Sequence, residues 1–384
     1  MDKLNFDNPL RQQCLSVPSL YADQIAGVRK GLENALTKEE LKQIRRVVIT
    51  GCGDSYVAAL ASIPAFRKFA GKFGSGFSYA RAIDVCRYMT FDKRSAPNTL
   101  VIGVSCSGGP ARVQEALRRA NHYGCMTLAV TNNPTSPAAT EAKRALIVNT
   151  PAFPNANPGL RNYYASLTGL YMLAAALGEA TGCSKPGALD GLANAIETYT
   201  KAYADKMEAI DDQMFELAKT WSQCKSFDFI GDDIQYATAF FCGAKIVEVA
   251  GMLTHTDDSE DWVHVGFLQK EPHKVGTLIV GDKKANNVSR IRETVGQAVG
   301  VGRPVLFVAN GTKEEFGITV DVPTCTVPET PEGYEFLLPL MNYLPGSILA
   351  GYISTMTGEP FFRGGGVWRE PGNNTIRSSK IEVV

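Results

Sequence analysis

The sequence predicts an α/β protein built from two similar halves, each with a parallel β-sheet flanked by helices. Short apolar runs alternate with segments of helical spacing, an order that is typical of parallel sheets. Several runs end in glycine, serine or threonine just before a helix, and the alternation returns in the second half. We therefore expect an internal duplication within the 384 residues, a length that fits two ordinary domains.

The composition predicts a globular protein and argues against several partners. Hydrophobic residues make up 45% of the chain, charged residues 20%, and the formal net charge is zero. Neutrality argues against nucleic acid or an anionic membrane as the main partner. No run of about 18 apolar residues and no apolar signal core occur, so we expect no membrane span or leader. Nine scattered cysteines without a C-x-x-C pair predict free thiols in a reducing cytoplasm and offer no zinc framework. We expect no metal site and no cofactor.

The first half predicts a helical arm followed by five strands. Residues 1–44 form the arm, with helices over Tyr21–Ala35 and Lys38–Gln43 and no core of their own. We expect the arm to pack across a neighbouring element or a second subunit. The predicted strands are Arg46–Thr50, a segment within Phe77–Val85, Leu100–Val104, Met126–Val130 and Ala145–Val148. A helix from Tyr56 to Phe69 follows the first strand.

The stretch from Val101 to Arg112 predicts an anion-binding loop. Its strand breaks at Ser105-Cys-Ser-Gly-Gly, and a helix with Pro110 at its first position follows. Backbone N–H groups, the positive end of the helix dipole and two serine hydroxyls together favour a phosphate. The alternative is a solvent-facing turn with ordinary capping serines.

Similar polar residues follow two other predicted strands. Gly53 and Ser55 come after the first strand, and Thr131 and Ser136 after the fourth. Because ligands of parallel sheets bind beyond the carboxyl ends of the strands, we expect these residues to lie near the serine loop. The G-x-G that ends at Gly53 lacks a third glycine, so we do not expect a nicotinamide site.

The second half repeats the alternation but not the loop. A turn-rich break at 151–158 is followed by predicted helices Arg161–Thr181 and Leu189–Cys224, the second as a connector. The elements expected after it are strand Phe227–Gly231, helix Gln235–Gly251, strand Thr277–Val280, helix Ala285–Val299, strands Pro304–Val308 and Ile318–Val320, and a helix near Gly333–Thr357. The strand end corresponding to the serine loop reads Val280-Gly-Asp-Lys-Lys. Only one half therefore carries a recognisable phosphate cradle.

The ordered motifs resemble the sugar isomerase (SIS) domain. They are Gly51-Cys-Gly-Asp-Ser55, Ser105-x-Ser107-Gly108, and Leu128-Ala-Val-Thr-Asn132 with Ser136-Pro137. The duplicated layout over residues 45–384 resembles the isomerase half of glucosamine-6-phosphate synthases and the fructosamine-6-phosphate deglycases. The resemblance implies two SIS domains, each a flavodoxin-like parallel sheet flanked by helices. The expected division is an arm at 1–44, domains at 45–205 and 206–365, and a tail at 366–384.

The resemblance also implies a set of site residues. The substrate phosphate would be held by Gly53, Ser55, Ser105, Cys106, Ser107, Gly108, Thr131 and Ser136. Lys245 and the base Glu248 would lie on one helix of the second half, and His264, sixteen residues past that base, would reach the site of the partner subunit in a homodimer. Lys380 in the tail corresponds to the Schiff-base lysine of the synthases.

Three departures from the family pattern concern the substrate. Pro110 stands where the family has threonine, which removes a hydroxyl donor and leaves open whether Arg112 replaces it. Glu260-Asp261 replaces a Gly-Glu pair, and Val265-Gly266 replaces Gly-Pro.

No N-terminal cysteine nucleophile or glutaminase segment is present, so we do not expect ammonia to be produced from glutamine.

The residues themselves support this chemistry. Moving a carbonyl between C1 and C2 of a phosphosugar needs a base, and Glu248 lies on an otherwise apolar helix where burial would raise the pKa of its carboxyl. Its alternative is a surface glutamate paired with Lys245. His264 would open the ring or protonate a departing amine, and its alternative is an ordinary loop histidine. Lys380 would act as a catalyst, and its alternative is a solvated lysine of the tail. His255 and the acidic run from Asp257 lack a calcium-loop pattern, so we expect a solvated acidic loop or one that recognises an amine.

Three functions remain open from the sequence. The favoured one is deglycation of a 6-phosphofructosyl amine to glucose 6-phosphate and the free amine. The second is aldose–ketose isomerisation of a hexose or aminohexose 6-phosphate. The third is a non-catalytic phosphosugar-sensing module, against which the presence of both Glu248 and His264 argues.

Overall fold

A computed structural model describes residues 2–71, 76–360, 362, 381, 383 and 384, and the strands in these ranges form two five-stranded parallel sheets. The strands of the first sheet are β1 (Arg46–Gly51), β2 (Phe77–Arg81), β3 (Thr99–Val104), β4 (Met126–Thr131) and β5 (Arg144–Ile147). Their order is β2-β1-β3-β4-β5. This order reverses between β1 and β3, the switch point where such sheets bind ligands.

Eight helices of the described residues precede or flank the first sheet. They are α1 (Pro9–Ser16), α2 (Tyr21–Ala35), α3 (Lys38–Gln43), α4 (Asp54–Ala70), α5 (Ala82–Arg87), α6 (Ala111–His122), α7 (Pro137–Glu141) and α8 (Leu160–Thr181). Local capping explains several starts. Thr37 and Glu40 form a reciprocal capping box at α3, and the Asn8 side chain accepts from Arg11 N–H at α1.

The second sheet repeats the first. Its surroundings run α9 (Ala188–Ala204), α10 (Met207–Trp221), β6 (Ser226–Gly231), α11 (Ile234–Ala250), β7 (Leu253–Asp257), α12 (Ser259–His264), β8 (Val275–Gly281), α13 (Val288–Gly300), β9 (Val305–Ala309), β10 (Thr324–Thr326) and α14 (Leu344–Met356). The order β10-β9-β8-β6-β7 is the first order read from the other edge. The predicted duplication and fold class are confirmed.

The repeat extends to backbone conformation at one turn. Gly53 lies before α4 with φ 55° and ψ −129°, and Asp233 lies before α11 with φ 48° and ψ −118°. A positive φ costs aspartate more than glycine, so the second copy keeps a strained turn without the residue that relieves the strain.

Four sequence predictions about elements are wrong in detail. The connector Leu189–Cys224 is two helices, because a turn at Asp205–Lys206 separates α9 from α10. Ile318–Val320 is not a strand, although Ile318 is buried in the core. The strand that pairs with β9 is β10, which begins four residues later at Thr324. The helix expected near Gly333–Thr357 divides into a 3₁₀ turn, Glu335–Leu340, and α14, since Pro339 cannot continue an α-helix.

The fourth concerns Pro110. It is the cap before α6 rather than its first residue, with φ −58° and an extended ψ of 119°. The helix begins at Ala111.

Contacts divide the chain into two compact units. One contains Met1–Ser19, Phe153–Leu160 and Thr198–Arg369, and the other contains Leu20–Ala152, Arg161–Glu197 and Glu370–Val384, as far as the residues are described. Each unit consists of three segments that are separated along the chain. The predicted boundaries at 45, 206 and 366 remain predictions.

The beginning of the arm is anchored by a buried ion pair. Arg11 donates from Nε and Nη2 to the two carboxylate oxygens of Asp211 at 2.8 and 2.7 Å, and Tyr352 Oη donates to Asp211 Oδ1 at 2.8 Å. Asp211 lies on α10 and Tyr352 on α14, so one carboxylate joins three helices.

One segment of the described residues, Glu335–Met356, is long and apolar enough to cross a membrane, with a mean hydropathy of 1.3. Its apolar window is entirely buried within the protein. A helix of a protein core can have the same length and apolar composition.

Candidate active site

The serine loop after β3 is closed on itself by hydrogen bonds. Gly108 N–H donates to the carbonyl and hydroxyl oxygens of Ser105, both at 3.1 Å, and Gly109 N–H donates to Ser107 Oγ at 3.3 Å. Ser105 is buried and Ser107 exposed. The Ser105 hydroxyl therefore shapes the loop, while the Ser107 hydroxyl lies at its surface.

The turn after β4 is joined to the serine loop by hydrogen bonds. Thr131 Oγ1 donates to Cys106 O at 2.9 Å, and Ala138 N–H donates to Gly108 O at 3.0 Å. Ser136 Oγ accepts from Ala139 N–H at the start of α7. Thr131 and Ser136 are both buried. The structure brings them to the serine loop as predicted, and both oxygens are engaged within the protein.

Glycine is required at position 108 for two reasons. Its φ is +65°, and a Cβ there would lie 2.0 Å from Ser136 Oγ and 3.2 Å from Thr131 Oγ1. No L side chain fits that space without displacing the turn that supports the loop.

The turn after β1 lies beside the serine loop, because β1 and β3 pair in parallel and end with Thr50 opposite Gly103. Burial raises the pKa of the Cys106 thiol to about 11, and the Asp54 carboxylate at the start of α4 adds to the rise. Gly53 is exposed and Ser55 half-buried in the same turn. The predicted phosphate residues of β1, β3 and β4 thus gather at the β1/β3 switch point.

The equivalent edge of the second sheet carries carboxylates instead of hydroxyls. Asp232 accepts from Ser259 N–H at 2.7 Å, and Asp282 accepts from Asn310 Nδ2 at 2.7 Å. Among the described residues the hydroxyl-rich, anion-type loop therefore belongs to the first sheet.

Glu248 and Lys245 form a close pair on α11. Lys245 Nζ lies 2.6 Å from Glu248 Oε2 and 4.5 Å from the centroid of the Phe241 ring. The lysine side chain is fully buried, whereas the glutamate side chain is 34% exposed. A buried ammonium needs an anionic partner, and Lys245 has one in a carboxylate that solvent or substrate can still reach.

Glu248 lines a cavity of about 460 Å³ in the same unit. The other lining residues are Tyr236, Phe240, Ala244 and Val247 from one face of α11, and Thr254, His255 and Thr256 from β7. His255 Nε2 lies 3.5 Å from Asp257 Oδ2. The cavity combines a carboxylate, an imidazole and an apolar wall.

Sequence reasoning missed the position of His255. The strand that carries it, Leu253-Thr-His-Thr-Asp257, has little apolar character and was not predicted. Its alternation of threonine with other residues was the available signal. The acidic run is likewise not a loop, because Asp257 ends β7 and Asp258 caps α12.

His264 is the last residue of α12 and is not among the described residues that line the Glu248 cavity. Its side chain is 67% exposed, and Nε2 is 3.1 Å from Glu260 Oε1. Lys380 lies outside the described residues.

The acidic residues near α12 already serve the helix. Asp258 accepts from Glu260 and Asp261 N–H at 2.9 and 2.8 Å. Carboxylate oxygens of Asp257, Asp258 and Asp261 lie within 4.8 Å of one another. Exposed acidic groups commonly cluster in this way without an ion, and we assign no metal to them.

Comparison with known proteins identifies a matching family. The SIS domain family matches residues 40–176. The chain is 28% identical over 337 residues to a glutamine–fructose-6-phosphate aminotransferase [isomerizing] of Methanothermobacter thermautotrophicus, covering 83% of this chain and 50% of the relative. The corresponding Thermococcus kodakarensis protein is 25% identical, covering 93% and 57%. The chain spans about half the length of these relatives.

Solved structures share the fold across both halves. The C-terminal domain of glucosamine-fructose-6-phosphate aminotransferase from Francisella tularensis superposes with a TM-score of 0.78 at 13% identity, over 92% of this chain and 98% of that one. The tagatose-6-phosphate ketose/aldose isomerase of Escherichia coli gives 0.69 at 12% identity, over 93% and 95%. Residues 40–176 therefore match the SIS domain family, and both halves of the chain share the fold of these solved structures.

Proposed function

We propose that this protein converts a 6-phosphofructosyl amine and water into glucose 6-phosphate and the free amine. The observation that carries the proposal is Glu248, a partly exposed carboxylate that lines a cavity and is held beside a buried lysine. Such a group suits proton transfer between adjacent carbons.

In this reaction Glu248 moves one proton from C1 to C2 of the substrate. It takes a proton from C1 of the open-chain ketose, giving an enolamine, and the proton returns at C2, giving the imine of glucose 6-phosphate. Water adds to C1, and the amine leaves with a proton. C1 is oxidised and C2 reduced within the same molecule, so there is no net redox change and the reaction needs no redox cofactor.

The phosphate is assigned to the serine loop. Gly53, Ser55, Ser107 and the backbone of Cys106 are the groups that we propose to contact it, with Ser105, Gly108, Thr131 and Ser136 maintaining the loop. A strand end with glycine, hydroxyls and a following helix favours an anion. The family match over residues 40–176 supports the assignment.

The cavity beside Glu248 favours a substrate with a group attached at C1. Tyr236, Phe240 and Val247 extend an apolar wall away from the carboxylate along α11. A plain hexose phosphate has no substituent to place against it, whereas the amine portion of an Amadori compound does.

The proposal includes a homodimer in which His264 acts in the partner's site, protonating the departing amine or opening the ring. The exposed side chain of His264 and the neighbouring exposed apolar residues Val265 and Leu268, both 68% exposed, support such an interface. Lys380 remains a proposed participant. The nine free cysteines support a reducing compartment, and the cytoplasm is the proposed location.

A second candidate is aldose–ketose isomerisation of a hexose or aminohexose 6-phosphate. The fold shared with a protein described as tagatose-6-phosphate ketose/aldose isomerase favours it. Glu248 would then move the proton between C1 and C2 without release of an amine. A phosphosugar-binding module without catalysis is the third possibility.

The test is product formation followed by NMR. The purified protein would be given 6-phosphofructosyl amino acids, fructose 6-phosphate and glucosamine 6-phosphate in separate reactions. We expect glucose 6-phosphate and free amino acid from the first, abolished by Glu248→Gln and retained by Glu293→Gln, an exposed acid of α13. Interconversion of simple phosphosugars without amine release would establish the second candidate. Binding without turnover would establish the third.

A further inference from the structure

The serine loop has fewer donors than its motif suggests. Pro110 caps α6 without a side-chain hydrogen bond, and proline has neither a hydroxyl nor a backbone N–H. The N–H groups of Gly108 and Gly109 already donate within the loop, to Ser105 and Ser107. The backbone of the loop therefore offers a phosphate fewer N–H donors than the motif suggests, and another donor would strengthen the site.

Asp54 makes another donor more important. Its carboxylate begins α4 beside the loop and acts on the Cys106 thiol. A phosphate dianion brought to the same place is repelled unless a cation offsets the charge.

Arg112 is placed to supply that cation. It is the second residue of α6, immediately after the loop, and its side chain is 25% exposed. Although Cys52 is exposed, surrounding atoms desolvate its thiol and raise its pKa, and the Arg112 charge partly offsets the rise. Arg112 belongs to the helix after β3 and Cys52 to the turn after β1, so the guanidinium charge acts at the switch point between those strands.

A buried carboxylate holds this arginine. Glu115, three residues along α6, is fully buried and forms ion pairs with both Arg112 and Arg87 of α5. A carboxylate is retained in such a place only when it is paired. Two guanidinium groups, those of Arg87 and Arg112, therefore pair with this one carboxylate.

We propose that Arg112, held by Glu115, binds the substrate phosphate and replaces the donor that is missing at position 110. A guanidinium offers several N–H donors in a plane, so it can keep its ion pair and still donate to phosphate oxygens. The inference rests on the proposed phosphosugar site and adds a binding residue to it.

The test is calorimetric titration with fructose 6-phosphate, fructose and inorganic phosphate. We expect Arg112→Gln to weaken fructose 6-phosphate and phosphate binding about tenfold or more. Arg112→Lys should restore part of it, and the matched control Arg118→Gln, which pairs with Glu141 further along α6, should bind like the wild type. Glutamine and lysine keep most of the aliphatic stem, and circular dichroism checks that each variant folds. In the wild type, binding should weaken as salt rises, more steeply than in Arg112→Gln.

Two results would overturn the proposal in distinguishable ways. If Arg112→Gln binds fructose 6-phosphate within twofold of the wild type, the phosphate site stands and Arg112 has no part in it. If the wild-type protein binds neither fructose 6-phosphate nor phosphate, the proposed function fails, and this inference with it.

Discussion

The ammonium of Lys245 lies 2.6 Å from the Glu248 carboxylate, and the lysine is fully buried while the glutamate is one third exposed. The two residues of the pair therefore differ in what they can do: the lysine can only stabilise the structure, and the glutamate can also take part in chemistry. The lysine needs the carboxylate because its charge is out of water, whereas the carboxylate remains accessible to a substrate.

Stability and activity should separate at this pair. Glu248→Gln leaves a buried ammonium without its anion, and we expect the free energy of unfolding to fall by about 1–2 kcal/mol, moderated by the partial exposure of the site. Adding Lys245→Met removes the stranded charge and should restore most of that loss in urea unfolding. Product formation should stay absent in both variants. Recovery of turnover in the double variant would contradict the role of Glu248 as the base.

The ion pair that anchors the arm should contribute strongly to stability. Asp211 binds Arg11 and Tyr352, and its side chain is 3% exposed. We expect Asp211→Asn to lower the free energy of unfolding by about 3 kcal/mol, because it strands a partly buried guanidinium. Asp212→Asn, at a side chain 59% exposed, is the matched control and should cost less than about 1 kcal/mol. Equal losses in the two variants would contradict the assignment.

The same carboxylate predicts a pH dependence. Burial raises the pKa of Asp211, but hydrogen bonds from Arg11 and Tyr352 outweigh burial and hold it below the ordinary value of 3.8. A lowered folded pKa stabilises the protein above the unfolded pKa, and that stabilisation is lost as pH falls through the folded value. Urea unfolding from pH 6 down to pH 3 should show the wild type losing more stability below about pH 4 than Asp211→Asn.

The serine loop should tolerate alanine at one glycine and not at its neighbour. At Gly108 a Cβ would lie 2.0 Å from Ser136 Oγ on a backbone with positive φ, whereas at Gly109 the nearest atom is Ser107 Oγ at 3.5 Å. We expect Gly108→Ala to abolish fructose 6-phosphate binding in calorimetry and Gly109→Ala to change it by less than threefold. Similar binding by both variants would mean that the loop does not hold the phosphate.

Mixing variants tests whether subunits share a site. If His264 acts in the partner subunit, Glu248→Gln and His264→Asn should each be inactive alone. Co-refolded mixtures should regain about a quarter of wild-type turnover, because half the dimers are mixed and each has one intact site. His255→Asn, at the cavity of Glu248 in the same chain, should not be rescued by Glu248→Gln. Absence of rescue for His264→Asn would place its function within one chain.

The elements that sequence reasoning predicted well have strong local signals. The strands β1, β3 and β4 of the first sheet and β6, β8 and β9 of the second are apolar runs that end in glycine or polar residues. Gly108 lies in the turn that separates β3 from α6. The duplication was readable because the same pattern returns. Helix α3 matches its predicted bounds, since Thr37 and Glu40 announce its start.

The missed elements lack such signals. Strand β7 is half-exposed and polar, and it becomes a strand by pairing with β6, Ser226 opposite Leu253. The break between α9 and α10 involves no proline or glycine, only the turn at Asp205–Lys206. Neither event is local enough for a periodicity argument.

By itself the sequence determined the α/β class, the duplication, the position of the serine loop and the helix that carries Glu248, because apolar periodicity and turn chemistry depend on neighbouring residues. The tertiary structure alone decided which side chains meet: His255 beside the Glu248 cavity, the buried Glu115 between Arg87 and Arg112, and Asp211 between the arm and α14. The reason is that burial and ion pairing join residues distant along the chain, and they exist only once both sheets have packed their helices.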